Sequence, residues 1–193
     1  MSPEEFDAID EYDESCRYEL VDGVLVVSPL PADSHADPNE LLGYLLNHYK
    51  YTHPNGSVLD KTTPERYIRV ANGRRIADRV LWIGLGRRPN SRVDTPTVAV
   101  EFVSKGKRSR HRDYVLKADE YMVSGVTQYW IIDRFDRTLT VHARDDKGEV
   151  TTTVYGEHDV FEPDLLPGFE FPIARLLAEA DAAAALEDPG RNP

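Results

Sequence analysis

The amino-acid sequence predicts an α/β or α+β fold with a mixed β-sheet. Segments that alternate apolar and polar residues predict strands, and segments with apolar residues at helical spacing predict helices. In the centre of the chain these segments follow in the order strand, strand, strand, helix, strand, which is typical of a mixed sheet. The length of 193 residues, with 40% apolar and 30% charged residues, matches one domain with a sizeable core.

The N-terminal half is predicted to hold two β-hairpins separated by a helix. Asp22-Gly23 and Asn72-Gly73 are typical of two-residue hairpin turns, because these residues tolerate positive φ. The predicted elements are an acidic arm or short helix (1–17), a hairpin (18–27), a Pro-rich loop (28–38), a helix (39–51) and strands over 57–60, 66–70 and 75–83.

The C-terminal half is predicted to alternate strands and helices. The elements are a strand (97–103), a helix (109–123), a strand (128–133), a hairpin (138–143 with 149–155) and a helix (172–186). We expect a single domain over 18–187, preceded by the acidic arm and followed by a frayed tail over 188–193.

The charge of the chain is uneven. A formal net charge of −11 disfavours a protein that simply coats nucleic acid or membranes, because phosphate binding is largely electrostatic. Between Lys61 and Lys117, however, 15 basic and 5 acidic residues give +10, and the remainder carries −21. Either this segment attracts an anionic substrate, or its arginines pair with the acidic ends of the chain.

The cysteine content favours a reducing compartment. Cys16 is the single cysteine, which excludes an internal disulfide and a multi-cysteine zinc site, and we expect a cytoplasmic protein. No apolar run approaches the roughly 20 residues that span a bilayer, so we expect no membrane partner. The acidic N-terminus is unlike a signal or transit peptide.

Two acidic residues interrupt predicted apolar strands. Asp78 shares a strand face with Ile76 and Val80, and Glu101 breaks a β-branched run. A carboxylate in a buried strand is costly unless it is paired or bound to a cation. If the two strands are neighbours, both carboxylates can converge on one Mg²⁺, which prefers oxygen ligands. The alternative is a structural ion pair between either acid and an arginine.

The predicted helix after Glu101 carries three polar side chains on one face. Asp113, Lys117 and Tyr121 are spaced at i, i+4 and i+8. If this face packs beside the strand acids, Lys117 can approach them and stabilise charge on a phosphate. The alternative is an ordinary surface pair between Asp113 and Lys117.

A set of short motifs follows in order along the chain: Tyr18-Glu19-Leu20-Val21-Asp22-Gly23, Ser28-Pro29 with His35, Asp78, Val100-Glu101-Phe102-Val103-Ser104, Arg112-Asp113-Tyr114, Lys117, Tyr121, Gly125-Val126 and Tyr129-Trp130-Ile131-Ile132-Asp133. Taken in order, these motifs resemble the Uma-two family of restriction-endonuclease-like proteins, which has the PD-(D/E)XK nuclease fold. The resemblance extends over about residues 18–177.

The resemblance implies a restriction-endonuclease-like mixed β-sheet flanked by helices, with added β-hairpins and a core in the order α-β-β-β-α-β. It also implies Mg²⁺- or Mn²⁺-dependent cleavage of DNA phosphodiester bonds. Asp78 and Glu101 would be the metal ligands, and Asp78, Glu101 and a lysine would form the catalytic set.

The sequence departs from the family pattern at two positions. Ala77 replaces the proline before Asp78, and Val103 occupies the place where the wider fold has its strand lysine. Strand alternation puts Val103 on the same face as Glu101. The family supplies a lysine from the following helix, which here is Lys117, and Lys105 is the alternative.

Further residues are expected to assist at the site. Glu19 is a candidate metal or water ligand and His35 a candidate substrate contact, although a solvated strand face and a loop histidine are the alternatives. Asp113 and Tyr121 are accessory candidates. The predicted nucleic-acid-binding residues are Lys105, Lys107, Arg108, Arg110 and Arg112.

We therefore expect a Mg²⁺-dependent DNA endonuclease. Two alternatives stay open: a non-catalytic nucleic-acid-binding or dimerisation module on the same fold, which the missing strand lysine favours, and a hydrolase of a small phosphate ester. Cleavage of both DNA strands favours a homodimer, because a two-fold axis relates the two sites.

Overall fold

The structure is a computed structural model that describes residues 1–11 and 13–187. The predicted tail over 188–193 lies outside the described residues. The helices are α1 (Pro3–Asp7), α2 (Asp33–Thr52), α3 (Lys107–His111), α4 (Lys117–Val123) and α5 (Ile173–Glu187), with a 3-10 turn at Gly56–Val58 and a π-helical turn at Arg112–Leu116. The strands are β1 (Cys16–Val21), β2 (Val24–Pro29), β3 (Leu59–Val70), β4 (Gly73–Ile83), β5 (Val98–Phe102), β6 (Gln128–Asp133), β7 (Thr138–Arg144), β8 (Val150–Gly156), β9 (Val160–Phe161) and β10 (Phe171–Pro172).

Eight strands form one mixed sheet in the order β2-β1-β4-β5-β6-β7-β8, with β3 also paired to β4. The β5–β6 pair is parallel, and the helical segment α3–α4 lies in its crossover. The hairpins β1–β2, β3–β4 and β7–β8 are antiparallel. The predicted mixed sheet, flanked by helices and extended by hairpins, is therefore confirmed.

Two apolar clusters cover opposite faces of the sheet. Val98 and Val100 of β5 belong to a cluster with side chains of α2 and α5, whereas Ala99 belongs to a second cluster with side chains of α4. Because successive strand residues point to opposite faces, the sheet lies between α2 and α5 on one side and α4 on the other. No helix of the described residues is long and apolar enough to cross a membrane.

Strands β1 and β5 share one edge of β4. Arg74 pairs with Leu20 of β1, and β5 begins to pair at Arg79, while β3 pairs along the opposite edge. Along residues 75–78, this edge of β4 is therefore not paired with either strand. The candidate site lies at this gap between β1 and β5.

Helix α2 begins six residues earlier than predicted. The segment 28–38 was expected to be a loop, but the helix begins at Asp33 and includes Pro38. Its N-terminus is capped by Glu187 of α5, whose carboxylate accepts from the Ser34 amide at 2.6 Å and the Ser34 hydroxyl at 3.0 Å. The prediction that His35 lies in a loop is wrong, because this distant cap extends the helix past it.

The turn between β3 and β4 is displaced by one residue from its predicted place. Val70 pairs with Gly73, so Ala71 and Asn72 form the turn. Gly73 instead allows β1 to approach, since a Cβ at this position would lie 2.1 Å from the carbonyl oxygen of Leu20.

Candidate functional site

A cleft of about 860 Å³ opens at the gap between β1 and β5. Strands β1, β4 and β5, the α3–α4 segment and the N-terminus of α2 all contribute to its wall. The cleft brings together seven residues singled out from the sequence: Glu19, His35, Asp78, Glu101, Lys105, Arg112 and Lys117.

Glu101 and Lys117 form a buried ion pair in this cleft. Lys117 Nζ lies 2.7 Å from Glu101 Oε1 and also donates to the Ile76 carbonyl at 2.8 Å. The Tyr121 hydroxyl donates to the same Glu101 oxygen at 3.1 Å. The alternative of a surface pair between Asp113 and Lys117 is wrong, because both side chains are buried.

Glu19 lies beside this ion pair. Its Oε1 accepts a hydrogen bond from the Ile76 amide at 2.9 Å and lies 3.8 Å from Lys117 Nζ. Both backbone polar groups of Ile76 are thus satisfied by site side chains instead of a neighbouring strand. Because Glu19 is buried, its interpretation as part of a solvated strand face is wrong.

Asp78 is held by three neighbours. Arg17 NH1 donates to Oδ1 at 3.1 Å, and the Phe102 amide donates to Oδ2 at 2.8 Å. His35 Nδ1 lies 4.0 Å from Oδ2. Burial lowers the pKa of His35 despite the negative charge of Asp78, so the imidazole is mainly neutral at pH 7.

The surroundings shift the pKa values of the two strand acids in opposite directions. Burial raises the pKa of Glu101 well above its usual range, and the charge of Asp78 adds to this, while Lys117 opposes it. Burial also acts to raise the pKa of Asp78, but His35, Arg17 and Lys117 outweigh it and lower that pKa. Burial disfavours the charged form of Lys117, yet its acidic neighbours, above all Glu101, raise its pKa, so it stays protonated.

Asp113 lies in the π-helical turn that joins α3 to α4. It is fully buried, and its carboxylate accepts from Arg112 Nε at 2.8 Å. Its carbonyl accepts from the Tyr129 hydroxyl at 3.0 Å. Asp113 is therefore in contact with Arg112, which lines the cleft, and helps to fix the position of that guanidinium.

The predicted nucleic-acid-binding residues divide into two groups. Arg110 pairs with Asp133 at 3.0 Å and also with Asp136, and Arg112 pairs with Asp113. In contrast, none of the described residues forms an ion pair with the other three, which are exposed: Lys105, Lys107 and Arg108.

The basic central segment is not one free basic surface. Several of its arginines form ion pairs: Arg74 with Asp7, Arg75 with Glu120, Arg79 with Glu40, and Arg87 with Asp94. Of these acids, Asp7 belongs to the acidic N-terminal arm, and Glu40 and Glu120 also lie outside the segment, whereas Asp94 is inside it and already counted in the +10. The local charge of +10 therefore overstates the positive surface available to a phosphate backbone.

Sequence reasoning missed Arg17 and Glu65. Arg17 NH2 lies 2.6 Å from Glu65 Oε1 and NH1 binds Asp78, so Arg17 bridges the two carboxylates. One signal was available, since Arg17 and Glu19 are two residues apart on a strand and share a face. Nothing local in β3 points to Glu65.

The comparisons place this architecture among known proteins. The model of the family described as "Uma2: Putative restriction endonuclease" matches residues 3–174. The chain belongs to the Uma2 family. The resemblance predicted from the ordered motifs is thus confirmed. No curated protein matches the sequence significantly.

A solved structure shares the fold. The chain is similar to a crystal structure from Anabaena variabilis described as a putative nuclease belonging to DUF820, with a TM-score of 0.70 and 14% identity. The similarity covers 93% of this chain and 99% of that one. At this identity the comparison shows a common fold, which agrees with the predicted fold class.

In this Uma2 chain, Val103 is buried in the apolar cluster around α4. The lysine in contact with Glu101 is Lys117, whereas Lys105 is exposed at the cleft. The ammonium group beside Glu101 therefore comes from Lys117 of α4, while the strand position carries Val103.

Asp78 and Glu101 are the carboxylates that could hold a divalent ion. Glu101 Oε2 accepts no hydrogen bond from the described part of the chain, while both oxygens of Asp78 have partners. No three His, Cys, Asp or Glu side chains of the described residues form a metal-binding group. Two carboxylates fit Mg²⁺ or Mn²⁺, which binds oxygen and keeps several waters.

Proposed function

We propose that the protein is a metal-dependent endonuclease that hydrolyses DNA phosphodiester bonds. The observation that carries the proposal is the buried pair Glu101–Lys117, at 2.7 Å, in the same cleft as the buried Asp78. Burying two acids and a lysine is costly, and perturbed titratable groups in a cleft are typical of catalytic sites.

The comparisons support a nuclease-like role. The family description names a restriction endonuclease, and the similar solved structure is described as a putative nuclease. These words describe those proteins, and DNA as the substrate of this chain is part of the proposal.

Each site residue has a proposed role. Asp78 and Glu101 would hold Mg²⁺ or Mn²⁺, which would supply a polarised water molecule and positive charge near the scissile phosphate. Lys117 would donate to a phosphate oxygen that gains charge in the transition state. Glu19 and Tyr121 position Lys117 and Glu101 through the contacts described above.

The DNA backbone is proposed to lie along the exposed side of α3. Lys105 just before α3, and Lys107 and Arg108 within it, supply positive charges that form no ion pair with the described residues, and Arg112 lines the cleft. Arg110 contributes less, because Asp133 and Asp136 already neutralise it.

A plasmid-cleavage assay with Mg²⁺ and with Mn²⁺ tests the site. We expect nicking or linearisation by the wild type and its loss in Asp78→Asn, Glu101→Gln and Lys117→Met. Asp119→Asn is the matched control, since Asp119 is an exposed acid on α4 and should keep wild-type activity. Equal cleavage by all five proteins would contradict the site assignment.

A non-catalytic nucleic-acid-binding module on the same fold is the second candidate. It is favoured by one observation: Arg17 and Lys117 already balance the charges of Asp78 and Glu101. This alternative predicts salt-sensitive DNA binding without cleavage under any divalent ion. Metal-dependent cleavage that Glu101→Gln abolishes would exclude it.

We also propose a homodimer in the cytoplasm. Two sites related by a two-fold axis suit cleavage of two antiparallel strands. Sedimentation equilibrium at micromolar concentration tests the oligomeric state, and a mass near the 21.9 kDa of one chain would contradict the dimer. Fractionation of the source cells tests the location.

A further inference from the structure

We propose that Arg17 is a positioning residue that holds Asp78 while no divalent ion is bound and moves toward Glu65 when an ion binds. The inference rests on the metal role proposed above for Asp78. It gives Arg17 and Glu65 a function in setting the metal affinity of the site.

The guanidinium of Arg17 bridges one buried and one open carboxylate. NH1 lies 3.1 Å from Asp78 Oδ1, and NH2 lies 2.6 Å from Glu65 Oε1. The Asp78 side chain is 7% exposed and that of Glu65 is 45% exposed. A divalent ion would compete with Arg17 for the buried carboxylate of Asp78. The exposed carboxylate of Glu65 would remain as a partner for Arg17.

The pairing of β3 with β4 explains why the two acids lie close together. Pro64 pairs with Arg79 and Arg66 pairs with Ala77, so Glu65 lies opposite Asp78. Like charges opposite each other on paired strands repel. Arg17 offsets this repulsion, and a cation at Asp78 would offset it as well.

The ion pair between Arg17 and Glu65 has two unfavourable features, one in each residue. Glu65 has φ of 46°, in the left-handed region, where residues other than glycine are strained and often serve a function. Arg17 Nε is buried and has no hydrogen-bond partner among the residues that the structure describes. A second cavity of about 200 Å³, bounded by Arg17, Glu65 and Asp78, gives the guanidinium room to move.

These features predict opposite effects of the two side chains on metal binding. A guanidinium that shares an oxygen with a divalent ion repels it, so Arg17 weakens binding. Glu65 draws the guanidinium away from Asp78, so it strengthens binding. A purely structural bridge would not require the guanidinium to move when an ion binds.

The test measures Mn²⁺ binding to the DNA-free protein from the electron paramagnetic resonance signal of free Mn²⁺. We expect Arg17→Gln to bind Mn²⁺ at least about tenfold more tightly than the wild type, because the removed charge lies close to the ion. Glu65→Gln should bind several-fold more weakly. Arg17→Lys should bind more tightly than the wild type despite its equal charge, because an ammonium cannot span both carboxylates.

Arg134→Gln is the matched control, since Arg134 also lines the cleft and pairs with Asp181. An equal gain in Arg134→Gln and Arg17→Gln would indicate a general charge effect and overturn the inference. Unchanged affinity in Arg17→Gln would overturn it and leave the proposed function intact. No Mn²⁺ binding by any of these proteins would overturn the metal assignment and this inference together. If Arg17→Gln does not fold, Glu65→Gln decides, because its side chain is largely open to solvent.

Discussion

Lys117 Nζ lies 2.7 Å from Glu101 Oε1, and neither side chain is more than 4% exposed. The pair joins α4 to β5, and Lys117 also holds the open edge of β4 through the Ile76 carbonyl. Through these two contacts, one side chain links three elements around the cleft. Stability and the proposed activity therefore both depend on this pair.

Removal of the lysine should destabilise the protein strongly. Lys117→Met leaves Glu101 buried without its cation, which costs about 3–5 kcal/mol in the free energy of unfolding. The double variant Lys117→Met with Glu101→Gln should recover much of this loss, because no unpaired charge stays buried. Urea unfolding at pH 7.5 measures both, and a double variant no more stable than Lys117→Met would contradict the explanation.

The titration of Glu101 should make the free energy of unfolding depend on pH. Its pKa is raised in the folded protein from the ordinary value of 4.5. Below pH 4.5 the carboxyl is protonated in both states and its stabilising contribution is complete. As the pH rises toward the folded pKa, this contribution falls by up to about 1.4 kcal/mol per pH unit.

Urea unfolding between pH 4 and pH 8 checks this sign. Glu101→Gln cannot titrate, so its stability relative to the wild type should increase as the pH rises above 4.5. His35 titrates in both proteins, so comparing them removes most of its effect. Parallel curves would show that Glu101 has an ordinary pKa in the folded protein.

Much of the site was predictable from sequence, because a charged residue within an apolar strand or helix face is evident from the local spacing of apolar residues. Asp78 and Glu101 interrupt apolar strands, and the spacing of Lys117 and Tyr121 predicts a shared helix face. Both side chains indeed contact the Glu101 carboxylate. These signals depend on strand and helix periodicity, which short segments already reveal.

The missed features depend on contacts between distant segments. Arg17 contacts Glu65 and Asp78, which lie 48 and 61 residues away. The cap on α2 comes from Glu187, 153 residues from Ser34. No local pattern encodes such partners, and the Pro-rich composition around Pro38 favoured a loop instead.

Gly73 should be intolerant of a side chain. A Cβ there would lie 2.1 Å from the Leu20 carbonyl oxygen, so β1 or β4 must shift. We expect Gly73→Ala to lower the free energy of unfolding by about 1–3 kcal/mol, as for other overpacked positions. Asn72→Ala, in the exposed turn beside it, should change stability little. Equal unfolding midpoints for the two variants would contradict the close approach of β1.

Two arginines of α3 offer a matched test of DNA binding. Arg108 is exposed and forms no ion pair with the described residues, whereas Arg110 is held by Asp133 and Asp136. If Arg108 contacts a DNA phosphate, Arg108→Ala should weaken binding and reduce the slope of log K against log salt by about 0.9, the value for one lost contact. Arg110→Ala should leave the slope nearly unchanged, because its guanidinium is already neutralised by carboxylates.

Fluorescence anisotropy of a labelled duplex over a KCl series measures both slopes. A larger reduction in Arg110→Ala than in Arg108→Ala would show that DNA binding displaces the ion pairs of Arg110, and would move the proposed contact from Arg108 to Arg110.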